Sequence, residues 1–219
     1  MLLPLLLGTW LGNFLDNLFK AEMENKTVMS DYKMSNAAFD FIGVYEAYRA
    51  KAYRVSGESF YTIGFGSTRI FSNDGLKSRA VLASDVVTLE QAKFHLRMYY
   101  NNPKSPKKAI DDIIKRYGFN LNQRFYDMLC QMSYASGSFH RNKTFNPVYI
   151  GMLQKANGSN DVEMLGDLLA GTWIAYLKNY ANYNLYGLGW SRRAFAAAQY
   201  VKGKDYSKLT AERTIKKPY

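Results

Sequence analysis

The strongest constraint on this chain is a change of pattern between residues 45 and 66, where an apolar-faced stretch carrying one carboxylate gives way to a glycine-punctuated run. Upstream, Ala38, Phe41, Ile42, Tyr45, Tyr48 and Ala52 recur at spacings of three and four, as one buried helix face would, and Ser35 or Asn36 stands ready to cap the start. The spacing predicts a helix running to about Ala52, with Glu46 flanking its apolar face near the end. Ser56-Gly57 breaks that pattern. Residues 60–65 and 68–71 then read as the strands of a small hairpin turning at Gly66-Ser67, with a further turn at Asn73-Asp74-Gly75.

Downstream the periodicity is helical. Thr88-Leu89-Glu90-Gln91 has the form of a capping box and opens a helix through about residue 100, and Ser105-Pro106 opens another through 117. Further helical stretches cover 123–135, 147–156, 161–169, 172–182 and 192–202, separated by Gly, Ser and Asn clusters. One helix, a small antiparallel sheet and then many helices define an α+β fold with the strands segregated near the N-terminus.

The 219 residues suffice for one domain with two extensions, and we divide them into an apolar segment and linker (1–34), the folded body (35–202) and a basic tail (203–219). The first 19 residues are apolar for about 15 positions, short of the roughly 20 a membrane span needs, and lack the charged start and small-residue cleavage site of an export signal. This segment is expected to dock on a partner protein, with membrane contact as the alternative. A net charge of +11 implies attraction to something anionic: a bacterial cell wall, a nucleic acid or an anionic membrane. No recognised nucleic-acid module accompanies the basic tail, so specific nucleic-acid binding is not expected. The single cysteine, Cys130, excludes an internal disulfide. His95 and His140 are isolated from other ligand-type residues, no glycine-rich phosphate loop precedes a helix, and Ser136-Gly137-Ser138 is not a nucleophile elbow. No metal and no cofactor is expected.

A carboxylic acid at the end of an apolar-faced helix, opposite a strand bearing a threonine hydroxyl, suits acid-catalysed cleavage of a glycosidic bond. Glu46, followed by Tyr53 and then Tyr61-Thr62-Ile63-Gly64-Phe65-Gly66, resembles the catalytic glutamate, tyrosine and threonine-bearing strand of the phage-type lysozymes, the endolysin-like muramidases of glycoside hydrolase family twenty-four. Phe125-Tyr126-Asp127-Met128-Leu129 is similar to that family's central buried helix, and Gly187-Leu188-Gly189-Trp190-Ser191-Arg192-Arg193 to its late glycine-leucine and paired-arginine signature. The resemblance covers roughly residues 38–202. It implies a small β lobe and a larger helical lobe flanking a cleft for the glycan strand of peptidoglycan, with action at the bacterial cell wall. Such a protein belongs to a virion or is released from the host cytoplasm, and residues 1–34 and 203–219 would meet proteins of a phage tail or injection machine.

By the same resemblance Glu46 is the general acid for hydrolysis between N-acetylmuramic acid and N-acetylglucosamine, and Thr62 positions water or substrate. The family's second carboxylate, nine residues after the glutamate, is here Val55, and the spacing from Glu46 to Thr62 is one residue longer than the family's. Glu58, in the rebuilt turn, is the candidate replacement. Ala135-Ser136-Gly137 stands where the family has Asn-x-Gly. Tyr53, Tyr61, Tyr186, Trp190 and Arg192 are candidate substrate contacts, the aromatic rings offering flat surfaces to sugars. Either Arg192 or Arg193 could instead order the Glu46 carboxylate or nearby backbone. Two readings stay open: an active muramidase, and a lysozyme-like scaffold that has lost catalysis with its aspartate and serves as a structural or wall-binding part.

Overall fold

A computed structural model describes residues 32–54, 57–101, 105–136, 146–180 and 183–206, with backbone alone at 106, 136, 179–180 and 183–190. Helix α1 spans Asn36–Tyr45. Its N-cap is Ser35, whose Oγ accepts from the Ala38 amide at 3.2 Å, and Ala38, Phe41 and Ile42 are its buried face. The helix ends seven residues earlier than the periodicity predicts. Glu46 is its C-cap, in extended backbone, and the next residues enter strand β1, Arg49–Tyr53. The apolar match of Tyr48 and Ala52 to the helical period is coincidental. The Ala50 carbonyl accepts from the Val87 amide at 2.9 Å and the Ala52 amide donates to the Asp85 carbonyl at 3.0 Å, so these backbone groups are satisfied across strands rather than along a helix.

Strand β1 pairs antiparallel with β2, Thr62–Gly64, and β3, Arg69–Phe71, pairs antiparallel with β4, Ser78–Ala80. The expected hairpin between 60–65 and 68–71 is thus replaced by two two-stranded sheets, and its turn survives as one bridge, Ile63 to Ser67. The cause is local. Gly64 and Gly66 both take left-handed φ values, +65° and +91°, and reverse the chain too quickly for further pairs to form. Gly64 also has no room for a side chain, since a Cβ there would lie 2.9 Å from that of Ala92.

The helical lobe comprises α2 (Leu89–Asn101), α3 (Pro106–Tyr117), α4 (Gln123–Ser136), α5 (Asn146–Ala156), α6 (Val162–Tyr180) and α7 (Tyr183–Val201). The first four begin and end within a residue or so of the sequence expectation. The stretches predicted at 161–169 and 172–182 form the single helix α6, because Gly171 lies within it without breaking it, and α7 begins nine residues before its predicted start. Phe125, Tyr126, Met128 and Leu129 of α4 are fully buried, with Phe41, Trp173 and Leu177 in the same core. Large apolar side chains at such depth each contribute about 1.5–3 kcal/mol.

One polar residue in that core decides where α1 sits. Asp127, fully buried on α4, accepts from the Ser35 amide at 3.0 Å, Ser35 Oγ at 2.6 Å, Tyr200 OH at 2.8 Å and Gln123 Nε2 at 2.9 Å. A buried carboxylate is stable only with such partners. Here they fasten the N-terminus of α1 to α4 and α7. The packed body extends to Tyr32, stacked on Tyr126 with its OH 3.0 Å from the Leu121 carbonyl, and to Tyr206, packed against Phe41. Residues 1–31 and 207–219 lie outside the described residues.

Candidate active site

Glu46 stands where the lobes meet. Its Oε1 lies 2.7 Å from Arg193 Nη1 on α7, with the two side chains only 24 % and 12 % exposed. Arg193 Nη2 also donates to the Tyr45 carbonyl at 3.2 Å, and the guanidinium lies over the Tyr45 ring. One arginine therefore fixes both the carboxylate and a carbonyl at the C-terminal end of α1, where helix carbonyls lack intrahelical partners.

The β lobe closes on the same point. A Cβ at Gly66 would be 3.8 Å from Glu46 Oε2 and 2.8 Å from the Tyr134 hydroxyl, so only glycine lets the turn approach the carboxylate. Tyr134 on α4 donates its OH to the Phe65 carbonyl at 2.6 Å, linking the helical lobe to that turn. Burial raises the Tyr134 phenol pKa far above its usual value, Glu46 adds to the rise, and Arg193 opposes it.

Tyr53 ties the remaining candidates to this group. It is the register partner of Thr62, which is buried on β2. Its pKa is raised by burial, opposed by Arg49 and raised further by Glu46 and Glu58. Both glutamates thus act on one phenol. Tyr61, half-buried, lies beneath the Arg54 guanidinium.

Among the sequence-derived candidates, Glu46 lies at the junction of the lobes, and Tyr53, paired in register with Thr62, feels the charge of both Glu46 and Glu58. The arginine on Glu46 is Arg193 rather than its neighbour Arg192, and it lies well inside α7 rather than at a helix start. The side chains of Tyr186 and Trp190, and all of Val55, Ser56, Gly137 and His140, lie outside the described residues. Tyr134 was not singled out from the sequence. The available signal is a phenol directly before Ala135-Ser136-Gly137. Among the described residues no group of His, Cys, Asp and Glu is arranged to hold a metal ion.

A small β lobe, a larger helical lobe and a glutamate at the end of the first helix between them define the α+β, lysozyme-like class of fold. Among solved structures, the chain is similar to the muramidase domain of SpmX from Asticaccaulis excentricus, with 18 % identity and a TM-score of 0.52 over 78 % of this chain and 98 % of that one. It is also similar to the endolysin from Escherichia coli O157:H7 phage FAHEc1, with 20 % identity and a TM-score of 0.53 over 77 % of this chain and 92 % of that one. The chain has the phage-type lysozyme fold. Neither a protein-family model nor a curated protein sequence matches it.

Proposed function

We propose that the chain is a peptidoglycan-cleaving muramidase of a phage or injection-type machine, with Glu46 as its general acid. The observation that carries this reading is Glu46 held by Arg193 at the junction of the two lobes in a phage-type lysozyme fold. In the reaction, Glu46 gives its proton to the bridging oxygen as the bond from muramic-acid C1 breaks. Water supplies the new hydroxyl at C1. Arg193 orients the carboxylate, and the Gly66 turn, anchored by Tyr134, forms the opposite wall. Glu58 supplies the second carboxylate that Val55 does not, acting near Tyr53, while Thr62 positions water or substrate. The name of the second structural neighbour, an endolysin, supports the phage setting, and the basic charge of the chain favours an anionic wall.

Val55 favours a second reading, in which the fold binds wall polymer without cutting it. Release of reducing ends from purified peptidoglycan separates the two. The muramidase reading expects turnover by the wild type and a fall of about 100-fold or more in Glu46→Gln, with a cooperative thermal transition retained. Turnover retained in that variant would overturn the role of Glu46, and binding without turnover by the wild type would select the scaffold.

A further inference from the structure

Arg49 opens strand β1, is exposed, and has its guanidinium 4.7 Å from the centre of the Tyr53 ring. A guanidinium resting on an aromatic face loses much of its rotational freedom and still has N–H donors to offer at its edge. Arg193, Arg79 and Arg69 direct those donors at Glu46, Asp85 and Ser78. Arg49 makes no ion pair and no side-chain hydrogen bond among the described residues. It is a braced cation whose donors are free.

Tyr53 places this cation at the edge of the candidate active site. It pairs in register with Thr62, and the charges acting on its phenol are those of Arg49, Glu46 and Glu58. Their balance decides what can approach. Glu46 is paired with Arg193, and Asp85, whose carbonyl accepts from β1, has its carboxylate on Arg79 at 2.7 Å. Glu58 has no cation within ion-pair distance among the described residues. An anion reaching Tyr53 therefore meets one uncompensated carboxylate, and Arg49 is the cation on the same ring that offsets it. Two further cations follow along the chain. Lys51 is exposed on β1, and Arg54, also exposed, lies 5.6 Å from the centre of the Tyr61 ring and is not among the charges acting on Tyr53.

Peptidoglycan carries a group that matches this arrangement. Each muramic-acid residue bears, through its lactyl ether, a short peptide with free carboxylates, and a guanidinium edge takes a carboxylate through two parallel N–H···O bonds. Resting on the muramidase reading of the Glu46 site, we propose that Arg49 is a specificity-determining residue. Stacked on Tyr53, it binds a carboxylate of the peptide beside the bond to be cut, so that the protein prefers glycan whose muramic acid bears its peptide. Tyr53 acts through Arg49 as a positioning residue, holding the guanidinium in place before the substrate arrives.

The test uses the full chain and three soluble, uncrosslinked glycan strands: one bearing its peptides, one with the peptide carboxylates amidated, and one stripped of peptide by an amidase. The wild type should cut the first with a KM about tenfold below that for the other two. Arg49→Gln should erase this difference by raising KM on the first, the change falling in KM rather than kcat. Arg49→Lys, which keeps the charge without the fork, should recover only part of the preference. Arg54→Gln removes an equal charge from the neighbouring ring and should keep the preference whole. Equal rises in KM on all three strands, or the same loss in Arg54→Gln, would reduce Arg49 to general attraction for an anionic polymer and overturn the proposal. So would a preference that survives in Arg49→Gln, or one that survives amidation. If the wild type cuts none of the strands, the reading of Glu46 fails, and equilibrium binding of the same strands to the same variants, with Kd in place of KM, decides the role of Arg49 by itself.

Discussion

Arg193 Nη1 lies 2.7 Å from Glu46 Oε1 while Nη2 of the same guanidinium donates to the Tyr45 carbonyl at 3.2 Å. The carboxylate is thereby held relative to the helix that ends beside it. Lysine has one ammonium centre and cannot reproduce a planar fork serving two acceptors in this geometry. Arg193→Lys is expected to fold, lose roughly 1–3 kcal/mol of stability, and lose about 10–100-fold in turnover of peptidoglycan. Reducing-end release and thermal unfolding, measured on the same preparation, check both parts. Wild-type turnover in Arg193→Lys would show that orientation of Glu46 does not need the fork.

Gly66 carries two constraints that substitution can separate. Its φ of +91° disfavours any side chain, and a Cβ would meet the Tyr134 hydroxyl at 2.8 Å and approach Glu46. Gly57 has nearly the same φ, +89°, but a Cβ there would meet nothing within 4 Å. Alanine at Gly57 should cost only the backbone strain, about 1 kcal/mol, whereas Gly66→Ala should cost roughly 2–4 kcal/mol and reduce turnover at least tenfold. Chemical denaturation of the two variants, with turnover measured beside it, gives the comparison. Equal costs would mean that the Tyr134 contact relaxes freely.

The parts of this arrangement that were legible in the sequence are those with a short-range cause. Capping at Ser35 and Ser105, the helix from Leu89, and the need for glycine in Tyr61-Thr62-Ile63-Gly64-Phe65-Gly66 all follow from backbone chemistry within a few residues. The end of α1 was not legible, because Tyr48 and Ala52 fit the helical period while their neighbours also satisfy a strand, and pairing with Thr62–Gly64 decides between them. The strand partners are ambiguous in the sequence for the same reason. Glu46, Thr62 and Tyr53 are candidates by the order of residues alone, yet the pairing of Glu46 with Arg193 and not Arg192 depends on the phase of α7, a helix that starts nine residues before the position the periodicity predicts. Tyr134 reaches the site only through a contact across 69 positions of sequence.

Asp127 tests whether placement of Glu46 begins at the far end of α1. Removing its carboxylate leaves the Ser35 amide and hydroxyl, Tyr200 OH and Gln123 Nε2 without their shared acceptor in a buried setting. Asp127→Ala should destabilise the protein by about 3–5 kcal/mol, and Asp127→Asn, which keeps one acceptor oxygen, by about 1–2 kcal/mol. Hydrogen exchange adds a spatial readout: amides near the start of α1 should lose protection before those of α5. Uniform loss across both helices would indicate that Asp127 stabilises the core without specifically anchoring α1.

The β3–β4 sheet is coupled to α2 through a histidine, and its stability should follow pH in a defined direction. His95 is 5 % exposed, and its Nδ1 accepts from the Phe71 amide at 3.4 Å, which requires the unprotonated nitrogen. Burial lowers its pKa below 6.5, and the positive charge of Arg79 lowers it further. As pH falls through 6.5, the unfolded chain takes up a proton that the folded chain still refuses. The stabilising contribution is therefore complete above that value and is lost as pH descends through the folded pKa, with a slope of at most about 1.4 kcal/mol per pH unit from this one group. Below the folded value the protonated ring also surrenders the Phe71 bond. Urea denaturation between pH 7.5 and 5 should show wild-type stability declining and a flatter profile for His95→Phe, which keeps an aromatic ring against Phe71 and Phe94 but cannot titrate. The same decline in both proteins would assign the acid sensitivity to other groups.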